Sequence, residues 1–263
     1  MSNDLMVEVR GIVNRFGAQI VHDRLDMEVR KDEVFGIVGG SGSGKSVLLR
    51  TILGLQRPKA GVVKLEGRDI TGLSESELRS VKSHYGVTFQ QGALFSSLTV
   101  LQNVQLPMIE HLQLPNAELD ERAMRHIKLV GLPPDAARKY PSQLSGGMQQ
   151  RLQIARCLAQ DPSVLLLDEP FGALDAMTRQ SLQDEVLRIV AERHATVLFV
   201  THDLEEALYL GDRVIALNAN PGRIARTLDV PLPRPRNQLA TREHPEFLRL
   251  RRELFSVVEE IHA

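Results

Sequence analysis

The sequence predicts an α/β fold in which a mostly parallel sheet surrounds a phosphate-binding loop. One reason is the glycine-rich segment 39–46, which stands between an apolar run and a helical pattern. A second is the glycine-rich turn 144–148, which opens another helix far downstream. The third is a set of short, continuous apolar runs, typical of strands that are buried on both faces of a parallel sheet. These runs are residues 33–38, 164–168 and 196–200.

Length, charge and composition limit the classes of protein to which the chain could belong. The chain has 263 residues, which allows one or two domains, and its net charge of −1 gives no electrostatic reason to expect a nucleic-acid partner. The single cysteine, Cys157, lies in a helical pattern, fits a reducing cytosol and is expected to be a packed core thiol. Residues 1–5 lack the features of a signal peptide, and no stretch approaches the roughly 18–20 apolar residues that cross a bilayer. Any membrane role is therefore expected to come through a partner protein.

The N-terminal part of the chain mixes strand and helix patterns. Residues 6–9 alternate apolar and polar side chains, as expected of a strand with one buried face. Helical periodicity follows the phosphate loop and stops at Gly54, and Ser74 with the acids after it has the pattern of a helix N-terminus. The predicted elements are strands within 5–38, a helix over 47–54, a strand over 61–67, a helix beginning near 74, and a strand over 85–89 that leads to Gln90.

The middle of the chain, residues 91–160, loses strand character and is predicted to be helical. Prolines are expected to interrupt these helices at Pro107, Pro115 and Pro133–Pro134. The α/β pattern then resumes with a strand over 164–168, a helix over roughly 177–193 and a strand over 196–200. We interpret residues 5–220 as one domain, in which a core of 5–90 and 161–220 carries a helical insertion of 91–160.

The tail, residues 221–263, has a different composition. Its prolines at 231, 233 and 235 predict an irregular segment, which gives way to a helix near 245–261. Eight arginines lie between Arg223 and Arg252 against three acidic residues. A solvated face that supports the helix is the simpler interpretation, and contact with anionic lipid or a partner is the alternative.

The phosphate loop has the complete pattern G-x-x-x-x-G-K-S in a strand–loop–helix context. Glycines let backbone N–H groups converge on phosphate oxygens, and the helix that follows directs its positive end at the same place. Lys45 supplies a point charge for the β- and γ-phosphates, and the Ser46 hydroxyl is placed to bind Mg²⁺. The residues expected to bind nucleotide here are Gly39, Gly40, Ser41, Gly42, Ser43, Gly44, Lys45, Ser46 and Val47.

Polar side chains follow three predicted strands, at the edge where open α/β sheets bind ligands. Asp168 and Glu169 end the run 164–168; Asp168 suits Mg²⁺, and Glu169 suits the general base that activates a water. His202 follows the run 196–200 and is expected either to hydrogen-bond a γ-phosphate or to hold Glu169 and water in register. Gln90 follows the strand 85–89, from which it can reach Mg²⁺ or water.

Together these residues resemble the ATP-binding cassette of ABC transporters, and the match covers roughly residues 5–220. The resemblance implies a P-loop NTPase core with a mostly parallel sheet, an antiparallel β-subdomain and an ABC-type α-helical subdomain. Phe16 stands where the family stacks an aromatic ring on adenine, with phenylalanine in place of the commoner tyrosine. The matching motifs are the Walker A loop 39–46, the Q-loop Gln90, the signature Leu144-Ser145-Gly146-Gly147-Met148, the Walker B end Asp168-Glu169, the D-loop Ala173-Leu174-Asp175 and the switch His202.

The same resemblance implies an ATPase that works with Mg²⁺ as a pair of cassettes. In the family, Ser145, Gly146 and Gly147 of one cassette close over ATP bound by the other, so one chain needs a second copy or a paralogue. Integral membrane permease subunits insert a coupling helix at the Q-loop and helical insertion. The implied location is the cytoplasmic face of a bacterial inner membrane, with an accessory substrate-binding protein as a further partner and no nucleic acid.

The two halves of the chain resemble different subfamilies. Residues 90–100 with Asn103-Val104 are similar to Mla-type cassettes, which serve phospholipid trafficking between bacterial membranes. Residues 168–176 and 201–207 and the segment Pro231-Leu232-Pro233-Arg234-Pro235-Arg236 are similar to nitrate, sulfonate and taurine importer cassettes. A natural or engineered join near the signature would explain the mixture. Because the Q-loop region faces the permease, the sequence favours lipid transport, with the importer as the alternative.

Two other classes are less consistent with the sequence. Chromosome and repair ATPases place a long coiled coil between phosphate loop and signature, whereas this chain has a short segment with several prolines, and translation-associated relatives carry two cassettes. A P-loop kinase or GTPase would lack both the signature and His202.

Overall fold

A computed structural model of the chain describes residues 5–88, 94–112, 114–172, 174–219 and 221–262. These residues fall into two compact units. One runs up to Val81 and resumes from Ala195 onward, and the other is Lys82–His194. The boundaries expected from the sequence, 5–220 with an insertion of 91–160 and a tail of 221–263, stay predictions.

The elements of the first unit are β1 Leu5–Phe16, β2 Gln19–Arg30, β3 Val34–Gly39, α1 Lys45–Ile52, β4 Ala60–Leu65, β5 Arg68–Asp69 and α2 Glu75–Lys82. The second unit contains β6 Tyr85–Thr88, α3 Val100–His111, α4 Asn116–Leu129, α5 Gly146–Leu158, β7 Val164–Asp168 and α6 Ala176–Arg193, with 3-10 turns at Pro134–Arg138 and Pro141–Gln143. The chain returns to the first unit with β8 Thr196–Val200, α7 Leu204–Leu210, β9 Arg213–Leu217, β10 Ile224–Asp229, α8 Gln238–Glu243 and α9 Pro245–His262.

The first unit contains an antiparallel sheet and a group of mostly parallel strands. Strands β2, β1, β4 and β5 form an antiparallel sheet in that order. Strand β3 pairs in parallel with both β8 and β9, and β10 closes that edge antiparallel to β9. Every residue of β3 and β8 is buried, as expected of parallel strands covered on both faces. The first unit thus holds the strand that ends at the phosphate loop between two parallel neighbours.

The second unit joins a parallel strand pair to a group of helices. Strands β6 and β7 pair from Tyr85 opposite Val164 to Thr88 opposite Leu167. Helix α3 packs on α4 and α5, and α5 packs on β6. The helical character expected for the middle of the chain is confirmed among the described residues.

One expectation about prolines is wrong, and those about the tail are confirmed. Helix α3 continues through Pro107 instead of ending there. Val104 and Met108, on either side of that proline, are fully buried, so packing offsets the lost backbone hydrogen bond. The irregular segment expected at prolines 231, 233 and 235 is confirmed, since residues 230–237 form neither helix nor strand. Strand β10 precedes it and was not predicted, because it forms by completing the open edge of β9. The expected helix near 245–261 is confirmed as α9.

Cys157 is a core thiol, as expected. It lies on α5 and is buried, and burial raises its pKa to about 12. Among the described residues, no helix combines the length and the apolar character that a membrane span requires.

Candidate functional site

The phosphate loop is a narrow backbone turn in which Gly39, Gly42 and Gly44 each disfavour a side chain. Gly42 and Gly44 have φ angles of +80° and +90°, which L-residues with a side chain rarely adopt. A Cβ on Gly39 would lie 2.7 Å from Ser43 Oγ and 2.8 Å from the carbonyl oxygen of Leu217. Gly44 is the N-cap of α1, and no side chain accepts a hydrogen bond there. The positive end of α1 is directed at the loop, which is an arrangement that favours a bound phosphate.

Lys45 and Ser46 begin the helix behind this loop. The Lys45 ammonium is buried and donates hydrogen bonds to the carbonyl oxygens of Gly39 at 2.7 Å and Gly40 at 3.0 Å. It therefore spans the loop from within, where a phosphate chain would meet it. Val47, next in α1, accepts a hydrogen bond from the Thr51 hydroxyl at 2.7 Å.

A chain of buried polar side chains lies next to the loop, and the motifs of the sequence do not indicate it. The Asn14 amide nitrogen lies 3.0 Å from Nδ1 of His22 and 3.0 Å from the Thr51 hydroxyl. The Nε2 edge of His22 faces Gly44, where an added Cβ would be only 2.5 Å away. Asn14 and His22 are opposite each other in β1 and β2, so strand pairing alone could have flagged this inward polar pair.

Acidification is expected to lower the stability of the folded chain through His22. Burial lowers the pKa of His22 to about 4, so the ring is neutral at pH 7, and Nδ1 accepts from the Asn14 amide. In the unfolded chain, His22 is expected to bind a proton near pH 6.5. Folding is therefore favoured above that pH, and the free energy of unfolding decreases by up to about 3 kcal/mol as the pH falls toward 4.

We expect His22→Gln to flatten this part of the stability profile, measured by urea unfolding between pH 7 and 4. Burial also lowers the pKa of His126, so a residual slope in the variant is expected. An unchanged slope would contradict the assignment to His22.

Phe16 and His202 belong to the same unit as the loop. Phe16 ends β1 and is 45% exposed, so one ring face is available for stacking. His202 is exposed and follows β8, whose neighbour β3 ends at the loop. Parallel strands place their carboxyl ends at one edge, so the switch histidine and the phosphate loop lie on the same edge of this sheet.

The second unit carries the two adjacent carboxylates. Asp168 is the last residue of β7 and is only 4% exposed. Glu169 follows with a φ of +46°, a left-handed conformation that costs a non-glycine residue roughly 1–2 kcal/mol. Such strain concentrates at functional sites, and a sequence pattern cannot show it. The N–H of Gly172 donates to the Glu169 carbonyl oxygen at 3.3 Å and closes this turn.

The signature and the D-loop acid line one depression of the second unit. Ser145 is the N-cap of α5 and accepts from the Met148 N–H at 3.3 Å. Asp175 is the N-cap of α6, and the hydrogen bond from the Thr178 backbone lowers the pKa of its carboxyl. A Cβ on Gly147 would lie 2.7 Å from the Thr178 methyl, whereas one on Gly146 would meet nothing within 4 Å. The Gly146 backbone is thus open to an approaching group.

The proposed metal ligands can be placed only in part. Gln90 lies outside the described residues. Ser46 supplies a hydroxyl at the start of α1, and Asp168 a buried carboxylate at the end of β7. Both are oxygen donors, which suit Mg²⁺. The described residues contain no group of three or more His, Cys, Asp or Glu that would form a cage by itself.

Comparisons with known proteins extend over most of the chain. The profile of the family described as ABC transporter matches residues 22–172. The bicarbonate transport ATP-binding protein CmpC of Synechococcus elongatus is 45% identical over 232 residues, 88% of this chain and 34% of that protein. The nitrate import ATP-binding protein NrtC of Synechocystis is 43% identical over 240 residues, 90% of this chain and 34% of that protein. This chain thus spans about a third of the length of these relatives.

A relative of more similar length is the uncharacterized ABC transporter ATP-binding protein MJ0412 of Methanocaldococcus jannaschii. It is 44% identical over 240 residues, 90% of this chain and 84% of that protein. Among solved structures, the dimeric ABC transporter cassette MJ0796 is 33% identical, with a TM-score of 0.79 over 86% of this chain and 99% of that one. A post-hydrolysis state of that dimer, bound to ADP and Pi, matches equally well. The expected fold class is therefore confirmed, and the chain belongs to the ABC transporter family.

Proposed function

We propose that this cassette drives the import of a small oxyanion, such as bicarbonate, nitrate or a sulfonate, through a membrane permease. The observation that carries the proposal is the similarity of 88–90% of the chain to proteins named for bicarbonate and nitrate transport. The tail segment Pro231–Arg236 independently resembles nitrate, sulfonate and taurine importer cassettes. These relatives favour the importer alternative over the lipid transport that the Q-loop region suggested.

The proposed roles in nucleotide binding are centred on the phosphate loop. The Lys45 ammonium and the positive end of α1 bind the β- and γ-phosphates, while Phe16 stacks on the adenine. Ser46, with Asp168 and Gln90, holds Mg²⁺, which neutralises phosphate charge when bound. His202 contacts the γ-phosphate or keeps the attacking water and Glu169 in register.

The second unit supplies the base and the signature. Glu169, which has a left-handed backbone, accepts the proton of the attacking water. Ser145 and the N–H groups of Gly146 and Gly147 face the γ-phosphate of ATP on a second cassette, so hydrolysis needs a pair. The dimeric structures of MJ0796 support this pairing. The permease is then the attachment to the cytoplasmic face of an inner membrane, and an accessory substrate-binding protein delivers the anion.

Recovery of the native complex tests the transport proposal. A tagged chain purified from its source membranes should bring down a polytopic permease. Vesicles that hold this complex should take up labelled bicarbonate, nitrate or taurine with ATP, and complexes with Glu169→Gln should not. ATP-dependent transfer of phospholipid without anion uptake would support the lipid alternative. Recovery with ribosomes or nucleic acid would contradict a transport role.

A further inference from the structure

Helix α7 connects the switch histidine to the C-terminal tail. The helix is short, Leu204–Leu210, and begins two residues after His202. The Thr201 N–H donates to the Ile37 carbonyl oxygen at 3.1 Å, and the Asp203 N–H donates to the Thr201 hydroxyl at 3.0 Å. Asp203 then caps the helix by accepting from the N–H groups of residues 205 and 206, each at 3.0 Å. His202 therefore sits on a backbone that is fixed to β3 on one side and to α7 on the other.

The tail holds the C-terminal end of this helix with arginines. Arg236 donates to the carbonyl oxygens of Leu208 at 3.0 Å and Tyr209 at 2.6 Å, and its side chain is fully buried. Arg234 donates to the carbonyl oxygen of Leu210 at 3.1 Å. These are the carbonyls that a helix end leaves without partners, and positive charge there also complements the helix dipole. Burial lowers the pKa of Arg236 to about 10, so the guanidinium keeps its charge at neutral pH.

The tail also holds the first turn of α7. Glu205 accepts from Arg242 at 2.7 Å and from Arg251 at 3.0 Å. The Arg242 guanidinium lies over the Tyr209 ring, 5.1 Å from its centroid. Apolar packing accompanies these ion pairs, because α9 contacts α7 and buries Phe247, Leu250 and Leu254. Both ends of a seven-residue helix are thus secured by one segment.

We propose that the tail is a clamp that positions the switch histidine for ATP hydrolysis. The clamp consists of Arg234 and Arg236 on the last carbonyls of α7, and of Arg242 and Arg251 on Glu205 in its first turn. These are positioning residues, since they act on the nucleotide only through His202. The proposal rests on the role of His202 in the proposed function. It also gives four of the eight tail arginines a role without lipid, because their charges are paired inside the chain.

Paired variants with a matched control test the clamp. Glu205→Gln removes both ion pairs at the first turn, and Arg236→Gln removes the bonds at the other end. Arg226→Gln is the control, since Arg226 pairs with Glu253 between β10 and α9 and does not touch α7. Steady-state ATPase should show kcat lowered about tenfold in the two clamp variants with an unchanged KM for ATP, as expected when a catalytic group is misplaced by less than 1 Å. The control should keep the wild-type kcat.

A combination with His202→Ala separates positioning from general weakening. If the clamp acts through His202, then Glu205→Gln should lower kcat in the wild type but not further in His202→Ala. Losses that multiply in the double variant, or a wild-type kcat in Glu205→Gln, would overturn the clamp. Arg236 is buried, so Arg236→Gln could fail to fold. In that case Glu205→Gln tests the clamp, because Glu205 is partly exposed. If His202→Ala alone leaves kcat unchanged, the proposed role of His202 fails, and the clamp has nothing to position.

Discussion

Glu169→Gln is expected to lower kcat for ATP hydrolysis by about a hundred- to ten-thousand-fold, the range that general-base catalysis supplies. The amide keeps the shape of the carboxylate but cannot accept the proton of the attacking water. Binding of ATP should persist, since the phosphate loop and Phe16 are untouched. The variant should therefore accumulate as an ATP-bound dimer, seen by light scattering after gel filtration with MgATP.

Glu66→Gln is the matched control for this result. Glu66 is exposed and also has a left-handed backbone, with a φ of +50°, but it lies in the turn between β4 and β5. Its replacement tests whether an amide at a strained glutamate is enough to disturb the enzyme, and we expect no change in kcat. Wild-type turnover in Glu169→Gln would rule out this residue as the base.

Lys45→Ala is expected to weaken ATP binding by roughly 10- to 100-fold. The side chain is buried under the loop and donates to the carbonyls of Gly39 and Gly40, so its charge is already at the place where phosphates bind. Hydrogen bonds to charged groups contribute about 1.5–3 kcal/mol each, and every 1.4 kcal/mol is tenfold in affinity. Calorimetric titration in the Glu169→Gln background measures the affinity without turnover.

An exposed lysine provides the comparison. Lys31 lies in the turn between β2 and β3, and Lys31→Ala should leave ATP affinity unchanged. Circular dichroism of both variants separates lost binding from lost folding. Equal affinity of Lys45→Ala and wild type would argue against the phosphate-binding role of the loop lysine.

The sequence predicted the elements that depend on local patterns. The phosphate loop and the strands β7 and β8 lie where glycine spacing and apolar runs indicate, because these signals are contained in a few neighbouring residues. Strand β10 was missed because it is held by β9 rather than by a pattern of its own. Pro107 does not end α3 as its local pattern predicts, because the packing of this helix outweighs the local penalty of a proline.

The candidate site shows the same division. Its side chains could be named from motif spacing, but their support could not. The pairing of Asn14 with His22 depends on strand register, and the left-handed backbone of Glu169 depends on the turn that follows β7. The tail arginines contact both ends of α7, whereas composition alone suggested that they form a solvated surface.

The contact between Gly147 and the Thr178 methyl has a consequence for how such a chain can diverge. A side chain at position 147 would collide with that methyl unless Thr178 or α6 moved, and α6 carries Asp175 at its start. The two loops cannot then drift separately. A larger residue at position 147 would need a smaller one at position 178, so substitutions at these two positions are expected to be tolerated only together.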